Sequence, residues 1–269
     1  MYDITEIKFY NEVQQLRLID DIFMNECFNR EVKAVEFVLR IILNRDDISI
    51  TRTESQAFIR GWGRSLELDI LAEEGSKAAY NIEVQRKISG ASIKRARFHV
   101  AMLDYLSLNP REKFNSIRDN YVIFITEYDV MKKGLPIEIF DRLSSSTGES
   151  INDGSHIIYV NGECRNDNTP LGRLMHDFFE PDPDKMYYDI LAERVRLIKS
   201  DNLEVKKLSG IMEKMRAEGR AEGRAERDKS FVSNMLKDGK LAFDTIAKYA
   251  EVSIKFVQDM AKSLGIEPR

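Results

Sequence analysis

Hydrophobic residues recur every three to four positions over 32–44 (VKAVEFVLRIILN), where Val35, Val38, Leu39 and Ile42 form one stripe and predict a helix. A β-branched, partly alternating run over 48–59 predicts a strand. Strict alternation then takes over. Leu66, Leu68 and Ile70 alternate with Glu67 and Asp69, and Tyr80, Ile82 and Val84 alternate with Asn81, Glu83 and Gln85. Gly75 in the intervening EEGSK supplies a turn, so the two runs predict an antiparallel hairpin of half-buried strands. Ser92 is an N-cap for a helix through KRARFHVAMLDYLSL. The apolar run YVIFIT (121–126) predicts a central strand covered on both faces, and HIIYVNGE (156–163) a further strand ending in an Asn-Gly turn. LGRLMHDFF and KMYYDILAERVRLIKS read as two helices separated by EPDPD. This order predicts an α/β fold, a mixed sheet flanked by helices.

The pattern divides the 269 residues into three regions. Residues 1–198 form the globular part. Residues 199–229 are a polar, helix-prone linker with AEGR at 217–220 and again at 221–224, whose i, i+4 ion pairs oppose the cost of Gly219 and Gly223. Residues 230–269 hold a small all-α module, with Ile246, Ala247 and Tyr249 in one short helix and Ser253 capping a second that contains Phe256, Val257 and Met260. The pair looks like a helix-turn-helix. Its acids nearly balance its lysines, so DNA binding and homodimerisation through these helices both stand as readings. A hydrophobic content of 43% with 14 Phe and 10 Tyr supports a core without covalent staples. Cys27 and Cys164 make neither a disulfide framework nor a metal-ligand spacing, which reads as a reduced, cytoplasmic protein. No stretch has signal-peptide or membrane-span character, so no membrane partner is expected.

A net charge of −4 and a pI near 5.6 argue against coating nucleic acid through bulk positive charge. Charge is nevertheless local. Residues 85–97 carry five bases (Arg86, Lys87, Lys94, Arg95 and Arg97) and no acid, and without them the rest of the chain stands at −9. Arg86, Lys94, Arg95 and Arg97 are the candidate contacts to nucleic-acid phosphates; a basic helix face is the competing reading.

The carboxylates of the hairpin give those bases a chemical context. If both hydrophobic sets face one core, odd positions pair with odd, and Asp69 lies across from Asn81 or from Glu83. Two carboxylates so close repel, a cost relieved by Mg2+ or Mn2+, which favour hard oxygen ligands. Such an ion acidifies water and polarises a phosphoryl oxygen, the chemistry of phosphodiester hydrolysis. Gln85 points to the same face, where it could orient water or phosphate. The alternative is an ordinary solvated face. His99, His156 and His176 lack ligand spacing and read as structural, and Trp62, between Gly61 and Gly63, reads as a turn anchor.

Asp69, Glu83 and Gln85, within LDILAEEGSKAAYNIEVQRK, together resemble the D…ExQ core of the PD-(D/E)XK nucleases. More narrowly, GRSLELDILAEE, NIEVQRKISGASIKRARFHVAMLDYLSL, YVIFITEYDVMKKGLPIE, HIIYVNG and LGRLMHDFFEPDPDKMYYDILAERV resemble the Rpn-type recombination-promoting nuclease family of bacteria, over roughly residues 19–199. The resemblance implies a restriction-endonuclease-like fold and metal-dependent DNA cleavage in recombination or mobile-element processes. It implies Asp69, Glu83 and the Val84 carbonyl as metal ligands, with Glu36 as the acid from the preceding helix. Gln85 would stand where the parent motif has a catalytic Lys. A neutral amide cannot offset charge on a pentavalent phosphorus, so either the metals do more or a displaced cation, Lys87 or Arg95, substitutes. An inactive nucleic-acid-binding or protein-interaction module, and an RNA nuclease, are the alternatives.

Overall fold

The computed structural model describes residues 4–60 and 63–266, so the expectation for Trp62 lies outside the described residues. Three helices, α1 (Ile4–Gln14), α2 (Asp21–Phe28) and α3 (Val32–Leu43), precede the strands β1 (Arg52–Ile59), β2 (Leu66–Glu74) and β3 (Ala78–Gln85). Then come α4 (Ile93–Ser107), β4 (Asp119–Thr126), β5 (Ile137–Phe140), β6 (Ser155–Asn161), α5 (Pro170–Phe179) and α6 (Asp189–Ser200). The chain ends with α7 (Asn202–Asp238), α8 (Phe243–Ala250) and α9 (Ile254–Ser263). The six strands form one mixed sheet in the order β1-β2-β3-β4-β6-β5. β1, β2 and β3 are antiparallel neighbours, β3, β4 and β6 run parallel, and β5 closes the edge antiparallel to β6. A mixed α/β fold with flanking helices is therefore what these residues build.

Each main element has a local cause. Gly75 turns the β2–β3 hairpin with φ +55, a left-handed conformation that costs glycine little. Ser92 accepts a hydrogen bond from Arg95 N and starts α4, and Thr169 with Pro170 starts α5 in the same way. β4 lies between two parallel neighbours, and Val122–Ile125 are fully buried. β5 escapes sequence reading because four residues at an edge, two of them exposed, are too short a run to establish a period.

One expectation needs correction. β3 is not half-buried: every residue from Ala78 to Val84 is covered, because β3 sits inside the sheet and α4 lies over its polar face. α7 is a single 37-residue helix that runs through the compositional boundary at 229/230, and the chain divides into compact units Met1–Ser209 and Gly210–Arg269. Helix-forming neighbours offset the glycine cost of about 1 kcal/mol each.

The first unit is fastened near its end by Lys199, which is only 4% exposed. Its ammonium donates to the carbonyls of Gln14 (2.8 Å), Leu16 (2.7 Å) and Pro181. Among the described residues, no helix is long and apolar enough to cross a membrane.

Candidate functional site

The β2–β3 register pairs Ile70 with Ile82, and so brings Asp69 level with Glu83, odd with odd. Backbone amides hold both carboxylates: Asp69 N donates to Glu83 Oε1 and Val84 N donates to Asp69 Oδ2, each at 3.1 Å. Opposite Asp69 on its other side, β1 leaves the regular ladder. Gln56 has φ 53, between the paired positions Ser55↔Ile70 and Ala57↔Leu68.

Glu83 is completely buried, and α4 supplies its counter-charge. Arg95 Nη2 donates to Glu83 Oε2 at 3.1 Å and Arg95 Nη1 to the Gly90 carbonyl at 3.0 Å. Arg95 Nε lies 3.3 Å from His99 Nε2; because guanidinium only donates, Nε2 is the acceptor and Nδ1 carries the imidazole proton. That proton goes to Asn81 Oδ1 at 2.8 Å, and the Asn81 amide in turn donates to Glu83 Oε1 at 2.9 Å. Arg95, His99, Asn81 and Glu83 thus close a ring of hydrogen bonds in which every buried polar group has a partner.

The electrostatics of the ring are strained by burial. Desolvation first, then the negative charge of Glu83, pushes the Asp69 carboxyl up to about 8. Burial likewise raises Glu83, against the lowering effects of Asn81, the Asp69 amide and Arg95. Burial and the neighbouring Arg95 lower His99 to about 4, so its imidazole is neutral. A further contribution to Asp69 comes from the charge of Asp21 at the start of α2. Sequence reading missed Asp21, whose hydrophilic position at the start of a helix resembles that of any capping acid. The ring had one legible sign, the i, i+4 spacing of Arg95 and His99.

The other expected site residues fall differently. Glu36 does not turn to Asp69: its Oε2 accepts Ile50 N at 2.9 Å and its Oε1 pairs with Arg40 at 2.8 Å. Val84 enters the site through its amide. Lys87 lies beyond the end of β3, exposed, where it precedes a 3-10 turn, and Arg95 is the cation that reaches Glu83. Gln85 is half-buried with its side-chain amide folded over Gly90; a Cβ there would sit 1.9 Å from Gln85 Oε1. Arg86 is not a free phosphate contact, because its guanidinium bridges Asp20 and Glu127, both at 2.8 Å. Lys94 and Arg97 are exposed on α4. Among the described residues, no three His, Cys, Asp or Glu side chains converge as a metal cluster.

The remaining reactive groups are structural. His156 pairs with Asp141 at 2.6 Å and stacks on Tyr121, and His176 lies 3.1 Å from Asp177. Burial pushes the thiols of Cys27 and Cys164 up, away from nucleophilic thiolate. Compared with protein-family models, curated proteins and solved structures, the chain matches none of them.

Proposed function

We propose that this chain is a metal-dependent nuclease of restriction-endonuclease-like architecture that hydrolyses phosphodiester bonds in DNA. The observation that carries the reading is the Asp69–Glu83 pair, two adjacent carboxylates fixed by backbone amides, Asp69 raised by burial and by the charge of Glu83, and Glu83 raised by burial. A divalent cation relieves that cost, and hard oxygen donors suit Mg2+ or Mn2+. The donor set fits: among the described residues no hydrogen bond engages Asp69 Oδ1, and Glu83 gains a coordinating oxygen if Arg95 turns aside. Asp69 and Glu83 would hold the ion, which when bound acidifies water and polarises the scissile phosphodiester.

The chain's own residues supply the rest. Asn81 and the Asp69 amide fix Glu83 Oε1, so its orientation is set before any ligand arrives. Arg95 brings the permanent positive charge that Gln85 lacks, and Lys94 and Arg97 offer exposed cations for the phosphate backbone. A non-catalytic scaffold is the second reading, favoured by the saturation of both Glu83 oxygens.

The test is to incubate purified full-length protein with supercoiled plasmid and with RNA in Mg2+, Mn2+ or EDTA, beside Asp69→Asn. Metal-dependent DNA cleavage that falls at least about 100-fold in the variant is expected. Identical behaviour of the two proteins under every metal rejects the enzyme, and cleavage of RNA alone reassigns the substrate.

A further inference from the structure

The second unit carries a different kind of site. Its core is built from Val232 and Leu236 of α7, Ile246, Ala247 and Ala250 of α8, and Val257 and Ala261 of α9. The small side chains Ala247, Ala250 and Ala261 let the helices approach closely. α8 stops at Glu251, which takes a left-handed conformation (φ 54, ψ 35) while its amide caps back to Ala247 and Lys248. Val252 is tucked against the core, Ser253 Oγ accepts Phe256 N at 3.2 Å, and α9 begins. Three residues, 251–253, thus join two short helices over a third.

This is the construction of a helix-turn-helix, in which the second helix lies in the DNA major groove and its first turns meet base edges. Burial in α9 sorts its residues accordingly. Val257 and Ala261 face inward, whereas Ile254, Lys255, Gln258, Asp259 and Lys262 are exposed. Lys255, Gln258 and Lys262 share one face at spacings of three and four. Their side chains match what a major groove displays: Lys for guanine O6/N7 or phosphate, Gln for adenine N6/N7, and Ile254 for the thymine methyl. Ser253 and the amides at the positive end of the α9 dipole suit a backbone phosphate. On its exposed face α9 sets Lys255 and Lys262 against one acid, Asp259, a single net positive charge toward the duplex in a module otherwise near balance.

We propose that α8 and α9 form a sequence-reading DNA head, with duplex DNA as the occupant of the exposed face of α9. This role is separate from phosphodiester cleavage and does not depend on Asp69 or Glu83.

Full-length protein is titrated in EDTA, so that no metal-dependent cleavage intrudes, against a fluorescein-labelled duplex pool with a randomised core of about 16 bp, followed by rounds of selection. An enriched sequence is expected. On that sequence, Gln258→Ala and Lys255→Gln should each weaken binding about fivefold or more. Lys94→Gln should weaken the unselected pool and the selected sequence alike. The proposal is overturned if selection enriches nothing, or if both α9 variants bind the selected duplex as wild type does with unchanged circular dichroism. It is also overturned if they change the sedimentation state and not DNA affinity, which would make α9 a protein-docking face. Loss of cleavage with retained binding would remove the nuclease reading and leave this one standing.

Discussion

Replacing Asp69 by Asn tests the electrostatic basis of the site without altering its shape. The substituted carboxamide still presents an oxygen to Val84 N, but the charge facing Glu83 is gone. In the folded wild type the Asp69 carboxyl is raised from its ordinary 3.8 to about 8. Between those values the folded chain holds a proton that the unfolded chain has released, so stability is greatest at low pH and falls as pH rises through the window. Each pH unit costs at most about 1.4 kcal/mol, a ceiling near 3 kcal/mol from about pH 6 to 8. Relaxation and entry of water around the half-buried side chain make about 1–2 kcal/mol the working expectation. Urea unfolding in EDTA at about pH 6, 7 and 8 measures it. Wild type should lose that much more stability than Asp69→Asn over the range, and Mn2+ at about a hundred times its dissociation constant should return about 2.7 kcal/mol to wild type at the upper end of it. Parallel pH profiles for the two proteins in EDTA would refute the account of two buried, repelling carboxylates.

Two further outcomes follow from other buried groups. His99 is lowered to about 4, so its stability contribution is present above its ordinary 6.5 and is lost as pH falls from 6.5 toward 4; nitrogen-detected NMR should show a neutral, Nδ1-protonated imidazole at about pH 5.5, and an imidazolium there would break the ring of hydrogen bonds around Glu83. Lys199→Met keeps the volume but strands the carbonyls of Gln14, Leu16 and Pro181, and should cost about 3–5 kcal/mol in chemical denaturation; a change under about 1 kcal/mol would mean that water replaces the ammonium without loss.

The hairpin and its carboxylate pair were legible because they depend on local rules: a period of two, a glycine turn, and a register that hydrophobic faces leave little freedom to slip. α4 was legible from Ser92 for the same reason. What escaped depends on partners distant in the chain. Arg86 reads as a free cation until the fold brings Asp20, 66 residues away, and Glu127, 41 residues away, to its guanidinium. Glu36 was assigned to the site by resemblance, although Arg40 one helical turn later marked a local partner. The alternation of β3 announces a solvated face, and only the arrival of α4 turns that face into a buried polar ring. Compositional contrast near 229 marks no break in the backbone, because a change in polarity along a helix need not end it.

The sheet order also has a consequence for how the chain folds. Asp69 and Glu83 are 14 residues apart and meet within a hairpin, whereas β3 must find β4 about 40 residues downstream in a parallel pairing. Local pairings close quickly and distant ones slowly. The two carboxylates therefore meet early, while water still solvates them, and their repulsion becomes expensive only when β4 and α4 dock. Alkaline conditions should accordingly slow the docking step and leave hairpin formation untouched, so that the residues proposed for chemistry also set the pace at which the central sheet is completed.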